Sequence, residues 1–200
     1  MHRRASGDGC TGWVDTSDRP ASVVCPPQLE YPEPPDPVRL LFVSWNPPGP
    51  LHFWNSNSDR LRRHLGWVFG ELGWIKGADF LAAFAHRDAF LVHAVRCWQH
   101  RDGPPKEAVE RCARATLLAD LVQMRPERLC LLGSVPHEAA LKIVEGLPPV
   151  IVSYFDGWSG EATIPTPNGP LRVPTLITVL PDQWNRRHTL RALGSWWSVC

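Results

Sequence analysis

The pattern of apolar and polar positions divides the chain after residue 37. Residues 1 to 37 carry Pro, Gly, Asp and Ser without periodicity. From Cys25-Pro26-Pro27 to Pro37 the backbone is expected to be extended, because each proline keeps its predecessor out of the helical region. This part reads as an arm that lies on the domain or is partly disordered. Residues 38 to 200 read as the domain. It opens with a short apolar run, Val38 to Val43, broken only by Arg39. An abrupt turn segment follows, Asn46-Pro47-Pro48-Gly49-Pro50, and then the aromatic pair Phe53 and Trp54. A buried strand ending in a rigid loop with one polar side chain at its tip is a common way to build a site. In open α/β sheets ligands bind beyond the carboxyl ends of the strands.

Downstream, strands and helices alternate. Asn57-Ser58-Asp59 offers an N-cap, and Leu61, Leu65, Val68, Phe69 and Leu72 recur at helical spacing up to Gly73. Residues 77 to 88 predict a short helix or an irregular connection with Phe80, Leu81 and Phe84 inward. Ala89 to Trp98 is near-continuously apolar, as expected of a strand covered on both faces. After a turn at His100 to Pro105, Lys106 to Met124 is the clearest helix, with Val109, Ala113, Thr116, Leu117, Asp120 and Leu121 down one side. Pro126 ends it. Leu129 to Leu132 predicts a third strand leaving through Gly133, and Pro136 to Gly146 a helix with Pro in its first turn. Pro149 to Phe155 predicts a strand, Ala162 to Val173 a hairpin around Pro167-Asn168-Gly169, and Leu176 to Leu180 a last strand. A final helix is expected from Arg187 to Trp197. The fold class that follows is α/β, a three-layer α/β/α sandwich with a mostly parallel central sheet.

Composition narrows this reading little. Two hundred residues suit one domain with a full core. A net charge of +1 argues against a broadly basic nucleic-acid binder and leaves room for a local basic patch. No apolar stretch has membrane-spanning length, and the N-terminal residues lack the apolar core of a signal peptide, so the expected location is cytoplasmic. In that compartment six cysteines are expected to be buried thiols or metal ligands rather than a disulfide framework.

Several motifs occur in a telling order. Ser44-Trp45-Asn46-Pro47-Pro48-Gly49 follows the first strand. Ala94-Val95-Arg96-Cys97 ends the second, followed by Pro104-Pro105 and by Cys112 on the next helix. Leu131-Leu132-Gly133 leads to Glu138-Ala139, and Leu180-Pro181-Asp182 ends the last strand. In content and order this resembles the uracil-DNA glycosylase superfamily over roughly residues 38 to 191. The first motif resembles the Gly-x-Asn-Pro-Gly of the mismatch-specific and single-strand-selective branches. The cysteine motifs resemble the iron–sulfur branches. The resemblance implies a DNA-repair glycosylase that hydrolyses the N-glycosidic bond of uracil or a related deaminated base in DNA. It also implies that the partner is DNA containing a damaged base. No membrane is expected to be involved, and the protein is expected to be a monomer. The other reading is a catalytically degenerate nucleic-acid or nucleobase-binding protein on the same fold.

The chemistry explains why these residue types matter. Glycosidic cleavage builds positive charge on the sugar and negative charge on the leaving base, and the base must first be flipped from the stack. The enzyme must position a water and aim donors at the base oxygen that gains charge. By the resemblance, Asn46 is the catalytic residue that positions the water; an amide both donates and accepts without a tuned pKa. Phe53 or Trp54 would stack on the base, although either also suits a core plug. His93 stands where the iron–sulfur branches carry an Asn or a small residue facing the base. It would donate to a uracil carbonyl, or serve as a satisfied core histidine. Where most branches have His-Pro-Ser, this chain has Leu180-Pro181-Asp182, and leucine cannot stabilise the charged oxygen. Leu180 and Asp182 would still border the base. The loop from Pro181 to Arg187 would be the wedge that fills the vacated stack. Trp184 is its largest apolar residue, and Asn185, Arg186 and Arg187 are candidate DNA contacts. The resemblance further implies a structural 4Fe-4S cluster held by Cys10, Cys25, Cys97 and Cys112. Cys130 reads as core.

Overall fold

The structure, a computed structural model, describes residues 31–49, 51–75, 79–96 and 106–199. Most of the expected arm and the expected turn at 100–105 lie outside these residues. The chain runs β1 (Leu40–Ser44), α1 (Arg60–Glu71), α2 (Phe80–His86), β2 (Ala89–His93), α3 (Lys106–Cys112), a π-helical turn (Ala113–Leu117), α4 (Leu118–Met124), β3 (Leu129–Leu132), α5 (Ser134–Ala140), β4 (Trp158–Ile164), β5 (Leu171–Thr178) and α6 (Arg186–Val199). The strands form one sheet in the order β2-β1-β3-β5-β4. β1 pairs in parallel with β2 and β3, and β3 with β5; only β4, at one edge, is antiparallel. This is the expected three-layer, mostly parallel arrangement.

Side-chain alternation along the strands separates two apolar layers. Leu41 and Val43 of β1, with Phe90, Val92, Leu129 and Leu131, face the layer of α3, α4 and α5. Leu40 and Phe42, with Leu91, Cys130 and Leu132, face α1, α2 and α6. A strand covered on both sides needs apolar residues at consecutive positions, and all five β1 residues are buried. Cys130 lies inside this second layer, as its strand position suggested.

Several boundaries differ from the sequence reading. β2 stops at His93 instead of running to Trp98, and 97 and 98 lie outside the described residues. Ala94 and Val95 still donate backbone hydrogen bonds to the carbonyls of Ser44 and Trp45, so the two strand exits remain joined. The Lys106–Met124 helix contains a π turn, beside which Asp120 is buried and ion-paired with Arg96. One widened turn rephases the face that follows it. α5 starts at Ser134, earlier than expected, and ends at Ala140, after which turns lead to Gly146. No strand forms at Pro149 to Phe155. Pro149, directly after Pro148, removes a ladder donor at its start, and Val150 and Val152 stand exposed with no layer to cover them. The hairpin strand and the last strand are one element, β5. It passes through Pro174 just before β3 pairing begins at Thr175. Among the described residues, no helix is long and apolar enough to cross a membrane.

The Arg96–Asp120 pair is largely buried. Removing one partner strands a charge. Asp120→Ala should therefore cost about 3–5 kcal/mol, whereas the double change Arg96→Met with Asp120→Leu should recover most of it. Urea denaturation of the three proteins measures both effects.

Candidate active site

A cavity of about 580 Å³ opens at the carboxyl ends of the strands. Its wall includes the end of β1 (Ser44, Trp45, Asn46), the end of β2 (His93), Phe53, the start of α1 and the loop after β5 from Leu180 to Trp184. Parallel pairing causes this convergence, since Ser44 and His93 are direct partners in the β1–β2 register. The cavity thus brings together the expected water-positioning Asn46, the expected base-binding positions Phe53, His93, Leu180 and Asp182, and the expected wedge residue Trp184.

Asn46 is half-buried, and its side-chain amide donates to the Pro47 carbonyl at 3.2 Å. The bond holds the amide against the rigid turn. Of the aromatic pair, Phe53 lines the cavity, 1 % exposed, and packs edge-on against Phe80 and Phe84. Trp54 does not border the cavity. Its indole donates to the Leu91 carbonyl at 3.1 Å and its ring lies 4.7 Å from Phe90, which commits it to the core.

His93 is 2 % exposed. Its Nδ1 lies 3.0 Å from the Tyr31 hydroxyl, and its backbone N–H donates to the same oxygen at 3.2 Å. Tyr31 stacks on the imidazole, centroids 5.9 Å apart and planes within 11°, and His52 meets it edge-on at 6.3 Å. Burial, reinforced by His52 and Arg96, pushes its pKa down to about 3. The ring is therefore neutral at ordinary pH.

The loop after β5 is ordered by Asp182. Its Oδ1 accepts from the backbone N–H groups of Trp184 and Asn185, both at 2.7 Å, and its Oδ2 from the Asn185 amide at 2.9 Å. Asp182 thus borders the cavity chiefly as a turn former, and Asn185 is held within that turn. Trp184 projects from it, 78 % exposed. Arg186 lies 4.2 Å over the Trp67 ring, and Arg187 is exposed.

Sequence reasoning missed three lining groups. Asp59 was read only as a helix cap. It is the N-cap of α1, with Oδ1 accepting from Arg62 N–H at 2.8 Å, yet it is also buried on the cavity wall. Burial raises its pKa against the opposing pull of the Arg62 N–H and His52. Arg60 and Arg63, which in the sequence form only a basic run at the start of α1, both border the cavity. Their placement needed the direction of α1, which periodicity does not supply. Arg186 acts electrostatically with them on His64, which also borders the cavity. After burial, these arginines are the main groups holding His64 below its usual pKa.

A model of the uracil DNA glycosylase superfamily matches residues 32–193. The chain belongs to that superfamily. Comparison with curated proteins gives no significant match. Membership agrees with the α/β fold and with a cavity at the strand ends, and the family acts on DNA. Of the four cysteines, only Cys112 falls within the described residues. It is buried in the α3 layer within electrostatic reach of Tyr31 and Arg96. Among the described residues, no group of three metal-binding side chains forms.

The buried neutral histidine fixes a pH dependence. His93 takes up no proton until about pH 3, whereas the unfolded chain protonates it near 6.5. Between those values the unfolded state holds the extra proton, so stability falls as pH falls, by about 1.4 kcal/mol per unit from this residue. Asp59 and Asp120, raised by burial, act with the opposite sign at lower pH. Comparison with His93→Asn cancels them. From pH 7 to 5 the wild type should lose about 2 kcal/mol more than the variant in urea denaturation.

Proposed function

We propose that this superfamily member is a DNA glycosylase that hydrolyses the N-glycosidic bond of uracil or a related deaminated base. One observation carries the reading: Asn46, Phe53, His93 and Asp59 border a single nucleotide-sized cavity whose wall also carries Arg60 and Arg63. Phe53 provides the flat wall for the flipped base. Asn46 holds a water against the sugar carbon C1′. The C1′–N bond breaks with its electron pair leaving on the base, the water oxygen bonds to C1′, and the water proton passes to an acceptor. Asp59 is suited to both demands, because its negative charge opposes the positive sugar and its raised pKa improves it as that acceptor. His93 donates to the base oxygen that gains charge, the role Leu180 cannot fill. Arg60, Arg63 and Arg186 meet phosphates, and Trp184 enters the space the base vacates.

The cluster belongs to the same proposal. Cys112 is buried within electrostatic reach of Arg96, and Cys10, Cys25 and Cys97 lie outside the described residues. When bound, the cluster would tie the arm through Cys10 and Cys25 to the domain, and hydrolysis needs no redox step from it. Anaerobic purification followed by iron and sulfide assay tests this. Protein without iron in which Cys97→Ala is harmless would end it.

Leu180 on the cavity wall favours a second reading, a nucleobase-binding protein without catalysis. Single- and double-stranded oligonucleotides holding uracil, hypoxanthine or xanthine separate the two. Abasic sites that disappear in Asn46→Ala support the glycosylase. Binding without cleavage of any of them supports the alternative.

Asp59→Asn provides a sharper prediction. Asparagine caps helices as well as aspartate, so the melting temperature should hardly move. The lost charge should lower the cleavage rate about 100-fold or more. Trp184→Ala should reduce cleavage about tenfold in double-stranded DNA and much less in single strands, where little stacking must be replaced.

A further inference from the structure

Tyr31 stands just before the stretch that matches the superfamily. It nevertheless makes the two hydrogen bonds that define His93. A backbone N–H can only donate, so at 3.2 Å the phenol oxygen is the acceptor from His93 N–H. The phenol's own proton must then find an acceptor. Among the described residues, the hydrogen-bonded group that offers one is His93 Nδ1, 3.0 Å away. Nδ1 therefore carries no proton, and in a neutral imidazole the proton must sit on Nε2. Ring stacking at 11° keeps the two groups coplanar enough for both bonds. The Arg96 guanidinium lies 5.3 Å over the opposite aromatic partner, the Tyr31 ring, and Asp120 holds that guanidinium in place. A cation on the ring face makes the hydroxyl a better donor.

We propose that Tyr31 is a positioning residue that locks His93 as the Nε2–H tautomer and thereby selects bases presenting a carbonyl oxygen to β2. For its ligand the proposal rests on the glycosylase reading. The locked imidazole offers the cavity a donor and no acceptor. A uracil or hypoxanthine oxygen satisfies it. The amino group of cytosine or adenine sets donor against donor and leaves a buried N–H unpaired. An amide at this position could turn over to suit either edge. A histidine held by a tyrosine cannot.

The test uses the full chain and two readouts. The first is the 15N spectrum of the His93 ring at pH 7 without DNA. A protonated Nε2 and an unprotonated Nδ1 are expected in the wild type, and a mixture of tautomers in Tyr31→Phe, which keeps the ring and loses the hydroxyl. A protonated Nδ1 in the wild type overturns the proposal even if the variant fails to fold. The second readout is the binding of single-stranded oligonucleotides holding one 2′-fluoro-deoxyuridine or one 2′-fluoro-deoxycytidine, neither of which is readily cleaved. Tyr31→Phe should shrink the preference for uracil over cytosine about tenfold, the scale of one mispaired polar contact. The same change in a His93→Asn background should leave it unaltered. An unchanged preference in Tyr31→Phe rejects the selective role. The expected tautomer in a wild type that cleaves no uracil removes the glycosylase reading and leaves the lock standing.

Discussion

Parallel pairing of β1 with both of its neighbours is the constraint on which the site depends. Its residues are buried on both faces, and its backbone is occupied by β2 on one side and β3 on the other. A strand so enclosed cannot slide without moving every side chain into the wrong layer. The exit of β1 is therefore fixed beside that of β2, and Ser44 faces His93 across the ladder. Asn46 follows two residues later on a Pro-Pro turn with little freedom of its own. Positions far apart in the chain become neighbours because parallel strands all end at one edge of the sheet.

Around that edge, charge is arranged by depth. Arg60 and Arg63 are exposed, where water screens them. Asp59 and His93 lie deeper, where burial raises the pKa of one and lowers that of the other. Each shift favours the neutral form, yet they serve different ends. The histidine becomes a permanent neutral donor, and the carboxylate a stronger base. The polar series Asp120, Arg96, Tyr31, His93 extends from the α4 side of the core to the cavity. A buried network of this kind is worth keeping only if its members are held in register. The π turn before Asp120 rephases the helix that carries this aspartate.

Much of the fold was legible because its signals are local. A continuous apolar run at Val38 to Val43 identified the central strand, Asp59 its helix cap, and Gly73 and Gly133, both at positive φ, the turns. That Asn46 and Phe53 border the strand-end cavity was legible because they follow that strand. The failures were of another kind. Pro149 to Phe155 has strand-like composition, but a strand also needs a layer to cover its apolar residues, and Val150 and Val152 stand exposed. Trp54 and Phe53 are adjacent and chemically alike, and only packing decides that one turns to Leu91 and the other to the cavity. Arg60 and Arg63 required the angle of α1. Tyr31 lay in a segment with no periodicity, 62 residues from its partner, where no sequence pattern connects the two.

The most direct test of the central claim is a crystal structure with a single-stranded oligonucleotide holding 2′-fluoro-deoxyuridine. The flipped uracil should lie against Phe53, with a carbonyl oxygen within hydrogen-bond distance of His93 Nε2 and the sugar beside Asn46 and Asp59. A uracil bound outside this cavity, or one inside it with no contact to His93 and Asn46, would contradict the assignment of the strand-end site.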